Sequence, residues 1–66
     1  MQIFLNGTSH EVDEGLCLLE LIQSLDLAGR RIAVEVNAAL VPRSQFAAHR
    51  LAAGDKVEII QAVGGG

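Results

Sequence analysis

One short stretch of this chain repeats its apolar residues with the period of a helix, and nearly everything around it repeats with the period of a strand. Leu18, Leu21, Ile22 and Leu25 fall at i, i+3, i+4 and i+7, which lines them up as a single apolar stripe. Before it, Met1, Ile3 and Leu5 alternate with Gln2, Phe4 and Asn6, the period-2 pattern of a half-buried strand. After it, Ile32, Val34 and Val36 share one strand face, and in the last segment Val57 and Ile59 face one way and Ile60 the other. The order is strand, strand, helix, strand, short strand, strand. One helix has one stripe to bury, and it covers one face of one sheet. The expected fold is therefore α+β in two layers, a mixed sheet with one main helix packed on one face. With 66 residues there is room for a single small domain, which buries only about 60% of its unfolded surface.

The punctuation between these segments is specific. Asn6-Gly7 is a strong hairpin signal, because both positions tolerate positive φ. It makes residues 1–12 a hairpin in which Leu5 pairs with Thr8, and His10 and Val12 share the face of Ile3 and Met1. Asp13-Glu14-Gly15 breaks the strand pattern. The helix is expected over 18–27, ended by Ala28-Gly29. Cys17-Leu18-Leu19-Glu20 has the spacing of a capping box with cysteine in place of a hydroxyl residue. A thiol is a weak acceptor, so a poor cap is expected. Asn37-Ala38-Ala39 reads as a turn. Leu40-Val41 reads as a short strand stopped by Pro42, which suits a sheet edge. Residues 44–50 read as a helical turn carrying Phe46, and Ala53-Gly54-Asp55 as a further turn. The last strand is expected over 56–63. The first and last strands are expected side by side in the centre of the sheet, and parallel.

Composition narrows the function. Leu, Ile and Val supply 20 residues against two Phe and no Trp or Tyr. The core is aliphatic, and recognition by stacking bases on aromatic rings is excluded. A formal charge of −3 argues against a nucleic-acid partner. Cys17, the single cysteine, makes no internal disulfide and reads as buried and inert. Two histidines make no metal-ligand cluster; His10 and His49 read as structural. Arg30-Arg31 reads as a solvated pair, and Arg43 as a group that pairs with an acid on the body or on a partner. The start of the chain has neither the basic residues nor the long apolar run of a signal peptide or membrane span. A cytoplasmic protein is the expectation.

Gly64-Gly65-Gly66 serves no fold, since glycine loses the most backbone entropy on ordering. Three glycines do suit a narrow active site in another protein, where walls press on the backbone from all sides. A helix-on-sheet domain followed by such a tail resembles the ubiquitin-like, β-grasp proteins. Within them the chain resembles the sulfur carriers of thiamine biosynthesis, along its whole length. The likeness rests on Met1-Gln2-Ile3, Asn6-Gly7, Val36-Asn37, Val41-Pro42-Arg43, Phe46, His49 and Leu51. It continues through Gly54-Asp55-Lys56-Val57-Glu58-Ile59 and Ala62-Val63-Gly64-Gly65-Gly66. Cys17, where the family prefers a hydroxyl cap, and Phe46, where it often has Trp, depart from the pattern.

The resemblance implies a β-grasp domain over 1–63 and a flexible glycine tail over 64–66. It implies a protein cosubstrate and not an enzyme. Gly66 would be the sulfur-carrying residue, its carboxylate adenylated and then converted to a thiocarboxylate that donates sulfur for thiazole formation. Gly64 and Gly65 would thread into partner sites. The implied partners are an adenylating, E1-like enzyme that consumes ATP, a sulfur donor with a persulfide cysteine, and thiazole synthase. The carrier itself would bind no cofactor or metal. On the outer sheet face, Phe4 and Ile60 are expected as near neighbours forming a docking patch. The alternatives are the small subunit of molybdopterin synthase and a ubiquitin-like binding module without tail chemistry.

Overall fold

Asn6 and Gly7 take φ of 48° and 83°, the paired positive values of a type I′ turn. They join β1 (Gln2–Leu5) to β2 (Thr8–Glu11) with Leu5 opposite Thr8, as the two-residue loop requires. The computed structural model describes residues 1–62. It continues through α1 (Leu18–Ser24), β3 (Ile32–Val36), β4 (Ala39–Val41), a 3₁₀ turn (Arg43–Gln45) and β5 (Lys56–Gln61). The strands form one five-stranded sheet in the order β2-β1-β5-β3-β4. β5 is central and runs parallel to β1 and antiparallel to β3. β4, with Pro42 after it, lies at the edge as expected.

The helix stripe and the inward residues of the strands meet in one core. Leu18, Leu21 and Ile22 of α1 pack with Ile3 and Leu5, Val34 and Val36, Val57 and Ile59, and Phe46 is its one aromatic member. β2 lies beyond the reach of the helix, and all four of its residues are exposed. His10 sits opposite Ile3 but gains no cover from that position.

Side chains of two turn residues extend the ladders. The Asn6 N–H donates to the Val57 carbonyl at 2.9 Å, and its Oδ1 accepts from the Ile59 N–H at 2.9 Å. Asn6 thus turns the hairpin and prolongs the parallel β1–β5 pairing. Asn37 accepts from the Lys56 N–H at 3.0 Å and donates to Asp55 Oδ1 at 2.9 Å, tying the β3–β4 turn to the start of β5.

Several boundaries differ from the sequence reading. β4 begins at Ala39, expected in the turn, because Ala39 pairs with Val36 across the two-residue Asn37-Ala38 turn. The helix stops at Ser24, with Leu25 as its cap, and does not reach Leu27. Asp26 takes φ of 61°, its N–H bonds the Gln23 carbonyl at 3.0 Å, and the Leu27 N–H bonds the Ile22 carbonyl at 3.1 Å. Those bonds make a Schellman motif, usually built on glycine, here on aspartate. Gly29, with φ of 80°, serves the next turn instead. The turn after β4 begins at Arg43 rather than Ser44, because Pro42 pre-sets its first residue and the Gln45 N–H bonds the Pro42 carbonyl at 2.9 Å. β5 ends at Gln61; Val63, expected as its last residue, lies outside the described residues.

At the helix start only half of the cap is strong. The Cys17 N–H donates to Glu20 Oε1 at 3.0 Å. The thiol holds the capping-box position facing the Glu20 backbone N–H, but sulfur is a weak acceptor where a hydroxyl would be a strong one. The bond from the Cys17 amide, above all, holds the Glu20 carboxyl below its ordinary range, followed by the Cys17 thiol and, last, the Arg50 charge.

Candidate functional site

β5 delivers the chain from the centre of the sheet to its C-terminal end. The last backbone hydrogen bond among the described residues is the Ala62 N–H donating to the Arg31 carbonyl at 2.9 Å. Gly64, Gly65 and Gly66, the expected working residues, lie outside the described residues. The surface beside Ala62 is therefore the part of the site that has geometry.

Alternation along β5 buries Val57 and Ile59 and turns Lys56, Glu58 and Ile60 outward. Ile60 is 58% exposed, which agrees with its expected place on the face away from the helix. It lies opposite Ala33 of β3 and shares a shallow depression with Arg31, Ile32, Ala33, Arg43 and Ala62. Phe4 is half-buried and lies elsewhere. The parallel register sets it opposite Lys56, and it lines a different depression with Gly7, Lys56 and Glu58. Lys56 and Ile60 are four residues apart along β5, roughly 13 Å at strand spacing. Phe4 and Ile60 share a sheet face, but they are not the near neighbours expected. Their separation follows from a register that no turn specifies.

A residue missing from the expected patch stands out in its place. Leu40 on β4 is 68% exposed and lies opposite Glu35 of β3. The alternation that buries Val41 already points Leu40 outward, and that signal would have found it. Between Leu40 and β5 the face carries Glu35 opposite Glu58. Like charges directly across a sheet are unfavourable, so this pair is tolerated rather than stabilising. The outer face is thus apolar at Ile60 and Leu40, acidic between them, and basic beside Ala62.

No described group is placed for acid–base or nucleophilic work. His10 is exposed on β2, His49 is half-buried, and Cys17 is buried at the helix cap. Among the described residues no three His, Cys, Asp or Glu side chains gather to hold a metal ion. None of the described helices is long and apolar enough to cross a membrane.

Known proteins agree with this architecture. The ThiS family model matches residues 3–66. The crystal structure of a thiamine biosynthesis protein (ThiS) from Geobacter metallireducens superimposes with a TM-score of 0.84 at 35% identity, covering 100% of both chains. The sulfur carrier protein ThiS of Escherichia coli is 33% identical over 66 residues, again 100% of both chains. A thiazole synthase from Magnetococcus marinus is 38% identical over 66 residues, which are 100% of this chain and 20% of that protein; the chain spans only a fifth of that relative. The five-stranded order with one helix is the ubiquitin-like β-grasp, and the chain belongs to the ThiS family of thiamine-biosynthesis sulfur carriers.

Proposed function

We propose that Gly66 is the residue on which this carrier bears its sulfur. The supporting observation is the family match over residues 3–66, which runs through Gly64, Gly65 and Gly66 to the last residue of the sequence. A free carboxylate is a poor electrophile, since its leaving group would be oxide. An adenylating, E1-like enzyme joins the Gly66 carboxylate to the α-phosphate of ATP and releases pyrophosphate. A persulfide on a donor cysteine then attacks the activated carbonyl and AMP leaves. A second thiol cleaves the new sulfur–sulfur link by taking the donor sulfur into a disulfide, and the thiocarboxylate remains on Gly66. Splitting one difficult substitution into two easier ones is the logic of covalent catalysis, here spread over several proteins. The carrier binds no cofactor of its own; ATP is consumed by the partner.

Thiazole synthase is the acceptor in this reading. The segment of the Magnetococcus marinus thiazole synthase that resembles this chain supports a working association between the two functions. Gly64 and Gly65 supply reach and thinness, so that the reactive end passes through a narrow channel. Ile60 and Leu40, with Phe4 farther along the same face, form the docking surface. ATP and persulfide sulfur are reagents of the cytoplasm, which is where the carrier would act.

Intact mass of the protein purified from cells tests the central claim. A thiocarboxylate population is heavier than the carboxylate by the difference between a sulfur and an oxygen atom. Removing Gly65 and Gly66 should abolish pyrophosphate release with the adenylating enzyme. The melting temperature should barely move, because the buried core among the described residues is assembled between Ile3 and Ile59 and two glycines have no side chains to add to it. A shortened chain that still releases pyrophosphate would end the proposal.

A further inference from the structure

Three of the five cationic side chains of this acidic chain converge where its described part ends. The Arg31 carbonyl holds the Ala62 N–H at 2.9 Å. Arg31 and Arg43 line one depression with Ile60 and Ala62, and Arg30 and Arg31 line the adjoining one with Gln61 and Ala62. Arg43 is fixed from both sides. Its Nη2 donates to the Arg30 carbonyl at 2.6 Å, and its guanidinium lies 6.0 Å from the centre of the Phe46 ring. That carbonyl uses part of its donor fork and leaves the rest exposed. Among the described residues none of the three guanidiniums pairs with a carboxylate. A chain of net charge −3 with eight acids has partners to offer them, yet among the described residues no carboxylate takes up any of the three.

We infer that Arg30, Arg31 and Arg43 form a cationic collar that docks on an acidic rim of the enzyme that adenylates Gly66, around the mouth of the channel that takes the tail. The inference rests on the tail reading above. Protein carboxylates suit the collar better than the nucleotide phosphates inside the channel. Gly66 is four residues beyond Ala62, so a channel that holds the chain extended would take the activated carboxyl up to about 14 Å past Ala62, ahead of the arginines that line the depressions there. Guanidinium forks match carboxylates two hydrogen bonds at a time, and a pinned Arg43 has less freedom to lose on docking. Charges at the rim of an interface chiefly steer association and set its salt dependence. The collar would therefore admit the tail only to a channel with the opposite sign at its mouth.

Stopped-flow association of the full-length chain with its adenylating enzyme tests this, across a series of salt concentrations. Arg30→Gln with Arg31→Gln removes two exposed charges and leaves the backbone bonds at both positions available. The expected result is association slower by about 10-fold at low salt, with a flatter dependence on salt. More carrier should be needed for half-maximal pyrophosphate release, while the maximal rate stays the same. Arg43→Lys should keep much of the steering, since the charge remains, and Arg43→Gln should lose it; melting curves check that both variants fold. Unchanged association and salt dependence in the double variant, beside a wild-type chain that is activated normally, would overturn the collar alone. A lower maximal rate with unchanged association would also overturn it, by assigning the arginines to the nucleotide phosphates. A wild-type chain that releases no pyrophosphate with the enzyme would overturn the tail reading and the collar together.

Discussion

Ala38 sits where a glycine belongs. It is the second residue of the β3–β4 turn, after Asn37, and the two take φ of 69° and 52°. Gly7 holds the same place in the first hairpin at 83°. A left-handed backbone costs a residue with a Cβ about 1–2 kcal/mol, while glycine gives back part of that through unfolded-state entropy. Ala38→Gly is therefore expected to stabilise the protein by about 0.5–1 kcal/mol, read as a higher urea midpoint at unchanged slope. The neighbouring Asn37 explains how the strain is held. Its side chain ties the turn to Asp55 and Lys56, and those bonds stay in place when Ala38 changes.

The helix is short, seven residues, and its two ends are secured in different ways. At the C-terminal end the Schellman bonds bring Leu27 back against the core. At the N-terminal end the Glu20 carboxylate carries the cap, since it accepts from the Cys17 N–H. Its folded-state pKa lies below the ordinary 4.5. A depressed acid stabilises the fold above its unfolded pKa and loses that contribution as pH falls through the folded one. The stability advantage of wild type over Glu20→Gln should thus be full at neutral pH and vanish below the carboxylate range. Denaturation at a series of pH values measures it; an advantage that persists in acid would contradict the charged cap. The thiol half can be tested separately. Cys17 is 7% exposed, so replacing it changes packing as well as capping. Comparing two small replacements reduces the packing difference: Cys17→Ser should be more stable than Cys17→Ala by about 1 kcal/mol, because only the hydroxyl accepts the Glu20 amide.

At the scale of the whole molecule the sheet separates the buried core from the proposed docking surface. One face carries the helix and the core, and the other carries Ile60 and Leu40 in the open. Ile60→Asp should therefore leave the melting temperature nearly unchanged. It should weaken binding to the adenylating enzyme by about 1–3 kcal/mol, as for a buried anchor in a complex, with a desolvated carboxylate adding to the loss. Titration calorimetry beside a melting curve measures both. Equal affinity would remove Ile60 from the docking surface. Phe4, half-buried and opposite Lys56, should contribute less to the same titration.

The sequence alone determined what is local. Period-2 and period-3.6 patterns placed the strands and the helix stripe, Asn6-Gly7 named the turn and its register, and the alternation of Val57, Ile59 and Ile60 assigned the faces of β5. Each depends on residues a few positions apart, whose geometry the backbone itself dictates. Gly64, Gly65 and Gly66 were singled out by composition and lie outside the described residues. Asp26 was misread because Schellman ends favour glycine, and the pull of Leu27 onto the core decided the matter instead. Register between β1 and β5 was illegible, since the strands that pair are some fifty residues apart and no turn joins them; that pairing moved Phe4 away from Ile60. The tertiary structure likewise gathered the arginines. Arg30 and Arg31 precede β3, Arg43 follows β4, and only the antiparallel return of β4 along β3 sets the Arg43 guanidinium on the Arg30 carbonyl, beside the end of β5.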